Sequence, residues 1–434
     1  MLRQVKQFIR LDAFAANAGK LVVASVIGQG VVMLAMPLIT RLYSTQDFGV
    51  YSVYGSLLGF FSAFACLRYE RAIPLPSDDK LAANVCVVAL IVGIFFSAVL
   101  FLLIPLVGHF FVDWLKFPRF YPYLWLLPLG VCGAAIYAVT SYWAIRQRRF
   151  KSLAKTKIAQ GVGQVAAQLV FAFLPFAALG LLVGQIIGHV AGAGGLSRDA
   201  YKYDQSIFSH VQIVRLFGAL KRYLGFVCFS APGAVLNSVA FYIPALLLTV
   251  QHGITVAGFY GLASQAVRMP LALIEASVGK VYLGEAAKLA HVDLRAMLRL
   301  YLSTMFRLLI IGIMPVLVLL LFGPKLFSLV FGVHWYEAGV YAQVLAPMFL
   351  VEFLVVAPSQ NLSLLEKQHI YFFWNIVFCV LVLLAFLPSH FLSVSPRATL
   401  MLLALSIIIA YFCLILLNIY AIMTHARYKN ETNC

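Results

Sequence analysis

Apolar residues run along this chain in blocks long enough to cross a bilayer, separated by short polar stretches, and that alternation predicts about twelve helices. A transmembrane helix needs about twenty predominantly apolar residues. Blocks of that order lie at residues 17–43, 49–66, 82–108, 122–145, 158–175, 178–194, 224–250, 256–278, 302–322, 339–356, 371–387 and 398–423. Most of the loops between them are too short to fold alone. The expected fold class is all-α, a polytopic membrane protein with no soluble catalytic domain.

The longest polar stretch, residues 195–223, divides the pattern into an N-terminal six-helix bundle (1–194) and a C-terminal one (224–434). Within it Ile207, Val211, Val214, Leu216 and Phe217 interleave with His210, Gln212, Arg215, Lys221 and Arg222. That spacing suits an amphipathic helix lying on a membrane surface, with a solvated linker as the competing reading. A short internal repeat supports the division: Pro37 followed by Asp47-Phe48-Gly49-Val50-Tyr51 resembles Pro244 followed by Ala257-Gly258-Phe259-Tyr260. Prolines at 37, 105, 128, 232, 244, 270, 315 and 347 fall within the predicted spans, where each removes a backbone hydrogen bond and predicts a kink. The seventh span, with Pro232, Gly233 and Pro244, is where bending is expected.

Composition agrees: 63% of the 434 residues are hydrophobic and 11% charged, far from the balance of a soluble domain. The net charge of +17 raises nucleic acid as a partner, but its distribution excludes that reading. Of the 32 Lys and Arg, Arg41, Lys116, Arg119, Lys325 and Arg397 lie in loops on one side, Arg268 lies within a span, and the rest fall on the other side. The positive-inside rule makes that other side cytoplasmic, with both termini in, and makes the basic excess a topology signal and an attraction for anionic lipid. The first apolar block is span-length, follows Arg3, Lys6 and Arg10, and leads directly into another, so it reads as a helix and not as a cleaved signal. Six of the seven cysteines, from Cys66 to Cys413, sit in or at the end of apolar blocks, without metal or disulfide spacing.

The eighth span carries the most informative polar pattern. Gly261, Ser264, Gln265, Arg268, Ala272 and Glu275 share one helical face, while Leu262, Val267 and Leu273 lie elsewhere, which points to a water-filled lumen. An Arg near mid-span costs about 2.5–3.5 kcal/mol on insertion scales. Two readings balance: Arg268 contacts an anionic group of a cargo, since a guanidinium matches phosphate oxygens in a bidentate way, or it pairs with Glu275 or Glu352. The two coexist if closing the lumen reforms the pair.

Weaker stripes occur elsewhere. Ser25 and Gln29 lie on the first span, Ser52 to Ser62 on the second, Gln160, Gln164 and Gln168 on the fifth, and Ser230 and Asn237 on the seventh. Small and amide residues mostly serve helix packing, and Gly184, Gly188 and Gly192 read as a packing seam. Arg68 and Arg71, in the charged segment 67–80, are either interface anchors or contacts for an anionic headgroup. There is no phosphate-binding G-x-x-x-x-G-K-[ST] loop, the histidines (His109, His189, His210, His291) lack metal-ligand spacing, and no metal or cofactor is expected. A membrane-embedded polymerase or ligase would need a large carboxylate-bearing outer loop, whereas residues 109–121 and 323–337 offer only Asp113 and Glu337.

Over nearly its whole length the chain resembles the bacterial Wzx-type polysaccharide and O-antigen flippases of the multidrug/oligosaccharidyl-lipid/polysaccharide superfamily. The resemblance is carried by residues 43–51, by 67–76 with Asp78-Asp79, by Ser230-Ala231-Pro232-Gly233-Ala234 running on to Pro244, and by 256–260 leading to Arg268 and Pro270. It implies two six-helix bundles around a central cavity in the bacterial inner membrane. The implied cargo is an undecaprenyl-pyrophosphate-linked oligosaccharide, with a polysaccharide polymerase and a chain-length regulator as candidate partners. The implied lumen residues are Arg268, Gln265, Glu275, Gln29, Asn237, Arg68 and Arg71, with Glu275 and Glu352 as candidates for ion coupling. The multidrug antiporter branch of the superfamily is the alternative; its coupling carboxylates have no counterpart on the first span here.

Overall fold

The computed structural model describes residues 2–174, 177–290, 293–365, 367–392 and 394–432. Pro175 and His291 lie outside them, as do the side chains of Arg3, Lys6 and Arg10. The described residues contain no strand. The principal helices are α1 (Leu2–Leu42), α2 (Thr45–Ser62), α3 (Asp79–Trp114), α4 (Leu127–Arg146), α5 (Phe150–Phe171), α6 (Ala177–Val190), α7 (Ala193–Phe208), α8 (Ile213–Arg222), α9 (Ala231–His252), α10 (Ile254–Ala290), α11 (Leu294–Phe331), α12 (Tyr336–Val356), α13 (Gln368–Leu384) and α14 (Pro396–Thr432). Helices alone are expected, because lipid offers no partner for an open backbone N–H or C=O.

The twelve expected spans correspond to α1–α6 and α9–α14. Among the described residues nine helical segments are long and apolar enough by themselves to cross a membrane. The other three, α2, α5 and α10, have sufficient length at 18, 22 and 37 residues but are diluted by polar residues. They are the helices that carry the serine-glycine, glutamine and Arg268 stripes.

Several helices outrun their apolar blocks, because capping and polar helix formers extend them beyond the lipid-compatible part. At the start of α2, Ser44 Oγ accepts from the Asp47 N–H at 3.1 Å while Asp47 Oδ2 accepts from the Ser44 N–H at 3.0 Å, a reciprocal capping box. Asp78 and Asp293 cap α3 and α11, and α10 continues to Ala290 with a Glu285–Lys288 pair at 2.8 Å. Residues 323–331 belong to α11, so the outer loop expected at 323–337 shrinks to a turn at Val333–Trp335.

Proline placement also differs from expectation at one position. Pro128 does not kink a helix; it starts α4, where its missing N–H would have had no partner and its fixed φ favours the first turn. Pro37, Pro105, Pro244, Pro270, Pro315 and Pro347 do lie inside helices. Just before Pro232 the backbone widens into a π-helical turn at Phe226–Ser230, the local relief expected where a proline cannot donate to the preceding turn.

The chain forms two compact units, Met1–Ser238 and Val239–Cys434. In the first, α1 packs along α5 and α5 along α6. Glycines set these distances: a Cβ on Gly161 would lie 2.0 Å from the Gly28 carbonyl oxygen, and one on Gly28 would lie 2.3 Å from that of Lys157. Gly184 and Gly188 of α6 receive the side chains of Gln168 and Gln164, so the seam read from their spacing is a contact between a small stripe and an amide stripe. Gly192, at φ +94°, turns the chain from α6 into α7.

The stretch between the sixth and seventh spans is two helices, and α7 is anchored to the α4–α5 corner. Asp204, buried, accepts from Trp143 Nε1 at 2.9 Å and pairs with Arg149 at 2.6 Å, while the Ser152 hydroxyl donates to Asp199 at 2.8 Å. Helix α8 leaves Ile213, Val214 and Phe217 exposed and rests on α3, with the Tyr69 hydroxyl donating to the Leu220 carbonyl at 3.1 Å.

In the second unit α12 packs on α10, α11 and α14. It is the most buried span, and Gly339 meets Gly323 so closely that a Cβ there would lie 2.5 Å from the Gly323 oxygen.

Substituting Gly161 by Leu is expected to abolish the monodisperse peak of detergent-solubilised protein in size-exclusion chromatography, because backbone must move to admit the side chain. Gly30→Ala, with no atom within 4 Å of a new Cβ, is expected to keep the peak and to gain up to about 1 kcal/mol of helix stability.

Candidate functional site

The polar face of α10 is only half-buried, whereas Leu262, Ala263 and Val267 on its other sides are packed away. Arg268 is centred on that face. Its Nη2 lies 3.1 Å from Glu352 Oε2 on α12, with the two side chains 30% and 11% exposed. The guanidinium also lies between two rings, 5.1 Å from the centroid of Phe241 on α9 and 5.4 Å from that of Phe349 on α12. Each such cation–π contact contributes on the order of 0.5–2 kcal/mol.

Of the two carboxylates considered as partners, Glu352 makes the pair; Glu275, two turns along α10, is close enough to feel the charge but is not bonded to it. Tyr260 on α10 and Tyr411 on α14 are further electrostatic neighbours. Arg268 Nε is buried and has no hydrogen-bond partner among the described residues, so one N–H of the fork is unsatisfied. Pro270 and Pro347 interrupt the hydrogen-bond ladders of α10 and α12 close to the pair. The cluster thus has a partly exposed cation, a nearly buried carboxylate and two aromatic neighbours, a combination suited to holding an anion.

The remaining sequence candidates divide between the units. Gln265, half-buried, lies one turn before Arg268 on α10. Asn237 is half-buried on the part of α9 that belongs to the first unit, one turn before Phe241 along the helix. In the first unit, Gln29 is an exposed side chain on α1 and Arg71 is exposed beyond α2. Arg68 is half-buried in a turn where Leu67 and Arg68 both adopt left-handed φ, of 47° and 66°. Burial lowers the Arg68 guanidinium from its ordinary value, and Arg71 adds to the effect. Burial likewise raises the carboxyl of neighbouring Glu70, against the pull of its own backbone hydrogen bond and of Arg68 and Arg71. This segment is held by Arg146, which donates to the Ile73 and Pro76 carbonyls at 3.2 and 2.7 Å and pairs with Asp79 at 2.8 Å.

Three groups were not legible as site residues. Phe241 and Phe349 look like ordinary core aromatics in a chain that is 14% aromatic. Lys157 falls just before the fifth apolar block, yet α5 begins at Phe150 and places its ammonium 3.1 Å from Gln160 Oε1 and 5.1 Å from the Tyr137 ring centroid.

The sequence profile of the polysaccharide biosynthesis protein family matches residues 38–339, most of the chain. The chain belongs to that family. No curated protein matches the chain significantly in sequence. Solved structures do match it in fold. An inward-facing multidrug resistance MATE family transporter of the MOP superfamily superposes with a TM-score of 0.65 at 14% identity, covering 94% of this chain and 96% of that one. The lipid II flippase MurJ in an inward closed conformation gives 0.69 at 11% identity, covering 95% and 89%. A MATE in the bent conformation gives 0.57 at 13% identity, covering 96% and 97%. At these identities the likeness is one of fold, and the chain is a multi-pass membrane protein with the fold of those transporters.

Glu352→Gln is expected to destabilise the protein by roughly 3–5 kcal/mol, because it leaves a buried guanidinium uncompensated, with the partial exposure of Arg268 favouring the lower end. The double variant Arg268→Met/Glu352→Leu is expected to recover most of that loss in thermal unfolding. Equal loss in both would remove the pair as the cause.

Proposed function

We propose that this protein is a flippase that moves undecaprenyl-pyrophosphate-linked oligosaccharide units from the inner to the outer leaflet of the bacterial cytoplasmic membrane, for surface polysaccharide assembly. The observation that carries the reading is the partly exposed Arg268 within a span, paired with Glu352 through Nη2 and left without a hydrogen-bond partner at its buried Nε. Membership of a polysaccharide biosynthesis family and a fold shared with a lipid II flippase support it. The basic side of the chain is taken as cytoplasmic, with both termini there.

The residues define an exchange. A pyrophosphate arriving at the α10 face competes with Glu352 for Arg268 and forms charge-assisted hydrogen bonds to the guanidinium, with Gln265 beside it and the sugars in the polar lumen. Release restores the Arg268–Glu352 pair and so removes the charge from the open face. The six-helix halves, residues 1–194 and 224–434, are the moving parts of an alternating-access cycle, and the linker 195–223 joins them. Glu352 is uncompensated while cargo is bound, which makes it, with Glu275, the group through which an ion gradient would act. The prenyl tail stays in lipid.

Losing a charge-assisted hydrogen bond weakens binding by about 1.5–3 kcal/mol, roughly 10- to 100-fold. At equal expression, Arg268→Ala is therefore expected to accumulate lipid-linked oligosaccharide on the inner leaflet and to deplete surface polymer, with Arg268→Lys intermediate. Normal surface polymer in a deletion strain, accompanied by altered drug sensitivity, would favour the multidrug antiporter reading instead.

A further inference from the structure

A cavity of about 910 Å³ opens in the first unit between the start of α5 and the start of α7. Its lining includes Arg148, Arg149, Lys151 and Lys155 and a single acidic side chain, Asp199. Arg149 is engaged by Asp204 at 2.6 Å, and Asp199 accepts from Ser152 at 2.8 Å. Arg148, Lys151 and Lys155 are exposed and have no carboxylate within 4 Å among the described residues, so three unpaired cations face one carboxylate. A solvated set of topology charges would spread over the surface; these converge on a concavity.

The far wall is backbone. Gly192 and Gly195 line it at the first turn of the 16-residue α7, which has no capping side chain, and nothing lies within 4 Å of a Cβ built on Gly195. The first-turn amides have no intrahelical acceptor, and the positive end of the helix dipole adds to the lysines and Arg148. Exposed Tyr203 lines the cavity and exposed Tyr201 lies two residues before it, the residue type that settles at the boundary between hydrocarbon and headgroups.

We propose that this cavity binds the phosphate headgroup of an anionic membrane lipid on the basic side of the protein. The bound phosphate ties α5 to α7 alongside the Ser152–Asp199 and Arg149–Asp204 contacts. The guanidinium and two ammoniums neutralise its charge, and the glycine wall admits it close to the α7 amides. Nothing in this depends on what the protein transports.

The full chain, purified in zwitterionic detergent with phosphatidylcholine, tests this through its apparent Tm as phosphatidylglycerol or millimolar inorganic phosphate is added. Phosphatidylglycerol is expected to raise Tm by a few degrees, as mass action requires for a ligand of the folded state, and inorganic phosphate alone is not. Arg148→Gln/Lys151→Gln/Lys155→Gln is expected to lose that shift, and Arg215→Gln/Lys221→Gln/Arg222→Gln, which removes the same charge from α8, to keep it. Should the triple variant misfold, Lys155→Gln alone is expected to shed the tightly held phosphatidylglycerol counted by native mass spectrometry. A shift that survives in the cavity variants, or that both triple variants lose equally, overturns the site. A shift produced equally by inorganic phosphate overturns the lipid as its source.

Discussion

The constraint on which everything else here depends is that lipid satisfies no hydrogen bond. It forces the backbone into helices, and it also decides where polar side chains can go. Among the described residues nine helical segments are apolar enough to meet lipid; α2, α5 and α10 are not, and each packs against neighbouring helices.

Each unit houses its polar helix by a different device. In the first, glycines let backbones touch, so α5 presents Gln164 and Gln168 to the bare faces of Gly188 and Gly184, and Gln168 reaches the Leu181 carbonyl at 3.4 Å. Amides met by backbone need no charge and hold the helices fixed. In the second, α10 carries a full charge, which calls for an opposite charge and polarisable walls: Glu352 supplies the one, Phe241 and Phe349 the other. An ion pair with one unsatisfied donor is less complete than an amide seam. That incompleteness is what makes the second unit the better place for an exchangeable anion.

At the basic rim, charge does structural work that topology counting does not reveal. Arg146 closes the segment between α2 and α3 around two carbonyls and Asp79, and Asp204 fastens α7 to Trp143 and Arg149. The stretch that divides the hydropathy pattern is therefore an anchored pair of helices, and the basic residues at its anchor separate into Arg146 and Arg149, consumed by such contacts, and Arg148, Lys151 and Lys155, left open in the cavity beside α7.

The spacing of apolar blocks by itself determined the helical class, the number of spans and their order, because a bilayer of fixed thickness reads segment length and composition and little else. Helical periodicity likewise brought Gln265, Arg268 and Glu275 onto one face and assigned Gly184 and Gly188 to a seam, since residues three and four apart on a helix are neighbours whatever surrounds them. Periodicity is silent on partners from other helices. Tertiary structure alone decided between Glu352 and Glu275, set Phe241 and Phe349 about the guanidinium, put Arg68 in a left-handed turn, and made Pro128 a helix start instead of a kink. It also extended α10 and α11 beyond their apolar blocks. Each of these depends on a contact between side chains or caps far from, or just outside, the apolar window, where composition carries no distance information.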